Sequence, residues 1–165
     1  MNDNLGRKTQ NTAEFSFVGN PRRVITRERD GQYLRSGVLE LGNYSLVSER
    51  AFDESGRPLE WRFFEDGEVR SVLEYRYEGD ECVVTERDSH GEVVEVTRQK
   101  AFSIAVEGSE RRVPLPDSWT ILGVVAKLKY EFDFDSTGNW IKCTTTATVD
   151  SATTVHVQER EIMYW

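Results

Sequence analysis

Two histidines, two cysteines and 29 carboxylates are the groups in this 165-residue chain with chemistry to offer. His90 stands in a polar cluster with the look of a turn, and His156 in a run of strand formers near the C-terminus. The sequence has no His-Glu-x-x-His, no Cys-x-x-Cys, no Gly-x-x-x-x-Gly-Lys and no Gly-x-Ser-x-Gly. With so few soft ligands, no metal or other cofactor is expected. The carboxylates could supply a glycosidase-like pair, but spacing cannot identify one on a sheet of unknown register. Alternating charge on a solvated face accounts for them more simply. Asp53, Asp88 and Asp135 each stand three residues before a glycine. Calcium asks for six or more oxygens, and such a turn offers one or two, so turn capping explains these aspartates. A dispersed carboxylate active site is therefore the least supported of the functions weighed below.

The remaining candidates are aromatic and basic. Trp61, Trp119, Trp140 and Trp165 accompany six tyrosines. Exposed Trp and Tyr are favoured at binding surfaces, and Trp119 and Trp140 are the two singled out. Arg111 and Arg112 place local positive charge beside Pro114, Pro116 and Trp119, where an acidic or aromatic partner could dock. Over the whole chain arginines outnumber lysines sixteen to five; in an acid-rich sheet that bias suggests cross-strand Arg–Glu pairs. Cys82 and Cys143 lie inside strand patterns. Buried free thiols are the default for two such residues, with a single bridge left open.

Glycines show what must position these groups. Gly19, Gly31, Gly56, Gly67, Gly79, Gly91 and Gly138 are separated by 12, 25, 11, 12, 12 and 47 residues, close to multiples of twelve. Most close a polar cluster, as in Asp53-Glu-Ser-Gly56, Asp88-Ser-His-Gly91 and Asp135-Ser-Thr-Gly138. In Asp-x-x-Gly the carboxylate accepts from backbone two residues on, and the glycine takes the left-handed conformation of a type I turn with a bulge. Between clusters, side chains alternate. Leu128, Tyr130, Phe132 and Phe134 share one face; Lys127, Lys129, Glu131 and Asp133 share the other. Leu59, Trp61, Phe63, Leu73, Tyr75 and Trp140 are placed on the core face by the same reasoning. Connections this short make each strand pair with the next.

The expected fold is therefore all-β: an antiparallel up-and-down meander of about 10–12 strands, curled or barrel-like. Strands are expected near 14–18, 22–29, 32–40, 44–52, 57–64, 69–77, 81–87, 92–98, 101–107, 121–134, 139–149 and 153–164. Residues 1–13 read as a disordered polar tail and 14–165 as a single domain. The period fails once, from Gln99 to about Ala126, and a long loop is expected near 107–119. Pro114 and Pro116 cannot donate to a ladder. The tip of this loop either interacts with a partner or folds back to plug the sheet.

The formal net charge of −8 disfavours nucleic acid, and no apolar run is long enough for a membrane span. Met1 to Gln10 lacks the apolar stretch of a signal peptide. Read as it stands the chain is cytoplasmic; it is secreted or at the cell surface if a leader has been removed.

The turn-and-strand units resemble the YD-repeat, or RHS-type, family in its short free-standing bacterial form. The best units are Ala51-Phe-Asp-Glu-Ser-Gly-Arg-Pro-Leu59 and Tyr130-Glu-Phe-Asp-Phe-Asp-Ser-Thr-Gly-Asn-Trp-Ile141, with Thr85-Glu-Arg-Asp-Ser-His-Gly-Glu-Val93 as a weaker copy. Glu159-Arg-Glu-Ile-Met-Tyr164 resembles the family's closing strand. Phe52, Phe134 and Arg87 stand where the family usually has Tyr. The resemblance implies an extended antiparallel sheet of bacterial surface or secreted proteins and supplies no catalytic residues. The leading expectation is a non-catalytic binding or scaffold module for a protein or polymer partner. The alternative is an up-and-down β-barrel carrying a small apolar ligand.

Overall fold

The computed structural model describes residues 7–9, 12–14, 17, 19–101, 112–114, 118–121 and 124–165. Among them are fourteen strands and no helix. They are β1 (Arg7–Thr9), β2 (Thr12–Glu14), β3 (Pro21–Tyr33), β4 (Leu39–Leu41), β5 (Ser45–Phe52), β6 (Pro58–Glu65), β7 (Glu68–Glu78) and β8 (Glu81–Asp88), followed by β9 (Val93–Lys100), β10 (Arg112–Pro114), β11 (Ser118–Ile121), β12 (Val124–Phe134), β13 (Trp140–Val149) and β14 (Ala152–Tyr164). Arg7–Thr9 pairs with β12, and Thr12–Glu14 pairs with β10. Both lie in or beside the stretch whose composition reads as a frayed tail.

The main ladder runs in the order β1-β12-β13-β14-β3-β5-β6-β7-β8-β9. The antiparallel all-β expectation holds, and consecutive strands pair from β5 to β9 and from β12 to β14. Among the described residues the order has two ends, and the ladder does not close into a barrel. It also departs from a simple meander, because β14 stands beside β3 and β9 does not pair with β12. This departure explains why the twelve-residue period fails between Gln99 and Ala126. A tight turn can join only neighbouring strands, and that stretch joins strands that are not neighbours. Within it, β10 and β11 are described, and most of the expected loop at 107–119 lies outside the described residues. Pro114 pairs with Thr12 in a two-stranded sheet, a setting where a missing donor is tolerated.

The hairpins carry the register. Asp53 Oδ1 accepts from the amides of Ser55 and Arg57, each at 2.9 Å. Asp88 Oδ1 accepts from His90 and Glu92 at 2.9 Å, and Asp135 Oδ1 from Thr137 and Asn139 at 2.9 Å. Gly56, Gly91 and Gly138 have φ of 72°, 83° and 98°. In all three the residue before the Asp pairs with the fifth residue after it: Phe52 with Pro58, Arg87 with Val93, Phe134 with Trp140. The sixth residue (Leu59, Val94 or Ile141) is then extra, and pairing resumes beyond it. This corrects the placement of Leu59 in the core. It is the bulge residue and is 43 % exposed, while Pro58 beside it is buried. Glu65-Asp-Gly-Glu68 is a different turn: Asp66 and Gly67 both have positive φ, as a two-residue type I′ hairpin requires.

Gly31 is not a turn glycine. Strand β3 runs through it, and the turn falls at Leu34–Val38, where Gly37 has φ of 80°. A Cβ at Gly31 would come 2.5 Å from Leu41 Cδ2 and 2.7 Å from the Glu40 carbonyl oxygen, so the close approach of β4 is what requires glycine here.

Where one domain over 14–165 was expected, the chain gathers into two compact units. One holds Met1–Phe15, Glu28–Tyr44 and Ser109–Arg160; its core is Tyr130, Phe132, Trp140 and Cys143, with Leu128 and Phe134 against it. The other holds Ser16–Arg27, Ser45–Gly108 and Glu161–Trp165, where Phe17, Val24 and Phe52 pack with Ile162. Cys82 and Cys143 are buried free thiols. Phe132 is 1 % exposed, with its ring centroid 6.1 Å from that of Trp140. Phe132→Ala is expected to cost about 3–5 kcal/mol and Leu59→Ala less than about 1 kcal/mol, read by urea unfolding of each variant.

Candidate functional site

Strands β5 to β8 of the second unit present two unlike faces because side chains alternate along each strand. One face is charged. Arg23 meets Glu49 at 2.9 Å, Arg87 meets Glu74 at 2.9 Å, and Glu78 receives Arg76 at 2.7 Å and Arg98 at 3.2 Å. Arg23–Glu49, Arg87–Glu74 and Arg98–Glu78 are cross-strand pairs of the kind the arginine bias suggested, while Arg76 and Glu78 share β7. Exposed pairs of this kind contribute about 0–1 kcal/mol each, so they specify the wet face more than they stabilise it.

The other face is aromatic. Register sets Arg50 opposite Trp61 and Trp61 opposite Leu73, with Ser48, Phe63 and Ser71 forming the next row. Trp61 and Phe63 are two residues apart on one strand, so their rings meet, at 4.5 Å and 29°. The Arg50 guanidinium lies 3.7 Å from the Trp61 ring centroid. Trp61, Phe63, Leu73 and Tyr75, all expected in the core, are half-buried. Further along the face, Arg57 stacks over Tyr77 at 4.6 Å and donates from Nε to Asp53 Oδ2 at 2.7 Å. The Tyr77 hydroxyl donates to the Pro58 carbonyl at 2.8 Å.

Charge placement on this face is uneven. Burial lowers the pKa of Arg50 and raises that of Tyr75, so the phenol stays neutral at neutral pH and does not balance the guanidinium. Burial alone would raise the Asp53 carboxyl. Hydrogen bonds from the Arg57 amide and side chain and from the Ser55 amide outweigh it and hold the carboxyl below its ordinary value.

Strand β9 ends the ladder. All eight of its residues are exposed, with Val93, Val94 and Val96 at 51 %, 62 % and 57 %. Among the described residues no strand lies on its outer edge. Its inner edge sets Glu95 directly opposite Glu86, a like-charge pair that weakens the end of the sheet.

The residues singled out from sequence do not converge. Arg111 lies outside the described residues. Arg112 opens β10, opposite Glu14. Trp119 is on β11 opposite Ala126 and is 62 % exposed. Trp140 is 7 % exposed, with the Arg160 guanidinium 3.3 Å above its ring, which removes it as a contact residue: it is core. Sequence reading missed Arg50. The available signal was parity, since Arg50 shares its strand face with Phe52 and so had to fall on the apolar side.

His156 sits in the first unit, where Asp30, Gly31, Glu40 and Thr154 help line an open groove. Its Nδ1 is 2.8 Å from Asp30 Oδ1 and its Nε2 is 3.4 Å from Glu28 Oε2. Both ring nitrogens are thus engaged by separate carboxylates, an arrangement that ties β14 to β3. Among the described residues no group of three or more His, Cys, Asp or Glu is placed to hold a metal ion.

No protein-family model, curated protein or solved structure matches the chain.

The Asp53 geometry has a pH consequence. A carboxyl whose folded pKa is depressed contributes stability above its unfolded pKa of about 3.9. That contribution is lost as pH falls through the lower folded value. Asp53→Ala is expected to cost about 1–3 kcal/mol at pH 7, and its deficit relative to wild type should shrink below about pH 4, read by urea unfolding at both pH values.

Proposed function

We propose that this chain is a non-catalytic binding module of YD-repeat style that takes a partner strand along β9. The observation that carries the reading is the exposure of every β9 residue, three valines included, at an end of the ladder. Proteins ordinarily shorten, bulge, charge or cover such edges; β9 carries one bulge at Val94 and the cations Arg98 and Lys100, yet keeps three exposed valines, and exposed apolar surface of this kind marks interaction sites. Strand addition uses main-chain hydrogen bonds for affinity and alternate side chains for specificity. The fitting partner is an extended segment with apolar residues opposite Val94 and Val96 and acidic residues opposite Arg98 and Lys100. The three identical Asp-x-x-Gly hairpins support the YD-repeat reading. The ligand-barrel alternative needs a closed ladder, and this one is open.

Screening wild type and the double variant Val94→Lys, Val96→Lys against arrayed extended peptides tests this reading. Wild type is expected to select peptides with alternating apolar residues. The variant should keep its fold, because both positions are exposed, and bind them at least tenfold more weakly, about 1.4 kcal/mol. Absence of selection by wild type, or equal binding by the variant, defeats the proposal.

A further inference from the structure

We propose that the aromatic face around Arg50 is a binding site for a carboxylate carried on an aromatic or apolar body. Among the described residues Arg50 makes no ion pair; it stacks on the Trp61 ring at 3.7 Å and has Tyr75 as an electrostatic neighbour. Arg50 Nε and Trp61 Nε1 are buried without a hydrogen-bond partner. Buried polar groups are ordinarily satisfied, and exceptions call for a physical reason. A cation held partly out of water without an anion is costly in the same sense.

The chain itself supplies the comparison. Arg57 also lies over an aromatic ring, that of Tyr77, but it has Asp53 at 2.7 Å. Arg29 lies over Tyr44 at 4.1 Å, and Tyr44 bonds to Glu159; Arg29 Nε is itself unpartnered, so the orphan Nε alone does not set Arg50 apart. In both, an arginine on an aromatic ring is accompanied by a carboxylate from the chain. Arg50 on Trp61 has the same stacking, and among the described residues no carboxylate pairs with it.

The ligand class follows from charge and shape. A guanidinium presents a planar fork of donors that matches a carboxylate. Trp61 Nε1 adds a further donor nearby. One uncompensated cation balances one negative charge, and in a chain of net charge −8 a dianion would leave charge in excess. The half-buried rings of Trp61, Phe63 and Tyr75 would cover an apolar body adjoining the carboxylate. A free aromatic acid and an acidic residue flanked by an aromatic one in a peptide share this chemistry. This site is separate from the β9 edge, so its failure leaves the strand-accepting reading standing.

The test follows the Arg50 Nε–H and Trp61 indole N–H resonances of nitrogen-15-labelled protein, the indole being assigned with Trp61→Phe. The probes are sodium benzoate, a capped Phe-Asp peptide, methyl benzoate and inorganic phosphate, at matched ionic strength. Saturable shifts of both resonances with benzoate or the peptide, and none with methyl benzoate, are expected. Tighter benzoate binding points to a free acid and tighter peptide binding to a protein partner. Arg50→Met should abolish the shifts, and Arg50→Lys, which keeps the charge but loses the fork, should weaken binding at least tenfold. Should Arg50→Met not fold, the Lys variant decides. No saturable shift with either acid, equal shifts with methyl benzoate, tighter binding of phosphate than of benzoate, or wild-type binding by the deciding variant overturns the proposal.

Discussion

A carboxylate that accepts two or more backbone amides two to four residues downstream sets the register of this sheet. Asp53, Asp88 and Asp135 each hold a glycine in the left-handed region three positions on. The turn so formed puts one extra residue into the returning strand. A one-residue slip moves every later side chain to the other face, so the bulge decides which residues of β6 and β13 are buried. Pro58 and Trp140 go inward, and Leu59 goes out. The face on which Trp61 meets Arg50 descends from that local geometry.

Arginine does on this sheet what aliphatic cover does in most cores. Its stem packs along apolar surface while the guanidinium stacks on a ring. Arg50 on Trp61, Arg57 on Tyr77, Arg29 on Tyr44 and Arg160 on Trp140 repeat one motif at 3.7, 4.6, 4.1 and 3.3 Å. The planar guanidinium suits this use better than an ammonium, a second reason beside the Arg–Glu pairs for the preference for arginine over lysine. The same construction buries Trp140 and leaves Trp61 half-accessible.

Two functional readings rest on different physics in the same unit. At β9, exposed valines on a strand that ends the ladder among the described residues favour a strand, whose hydrogen bonds need little side-chain chemistry. Around Arg50, a single unbalanced charge beside orphan donors favours a small anionic group. The first is a matter of edge and the second of face. In a repetitive sheet these are the two surfaces free to evolve, because the hairpins are occupied with register.

The sequence by itself determined the all-β class and most of the turns, because those depend on neighbours within a few residues; it read 32–40 as one strand where a turn stands at Leu34–Val38. Asp-x-x-Gly marks a capped turn wherever it stands, and alternation in 127–134 marks a half-buried strand. It also placed Phe132 and Tyr130 inside, since both lie on a face with no charged residue. It misread Gly31, because a glycine needed for the approach of β4 looks the same in sequence as one needed for a turn. It misread Leu59, because a bulge shifts parity without changing the alternation around it. Which strands become neighbours across the chain was a tertiary matter. The placing of β14 beside β3 comes from contacts more than a hundred residues apart, and β9 ends the order of the described strands. The unbalanced charge at Arg50 is of the same kind. Its residue type is local information, but whether a carboxylate stands beside it depends on what β6 and β7 bring across, and that only the folded chain decides.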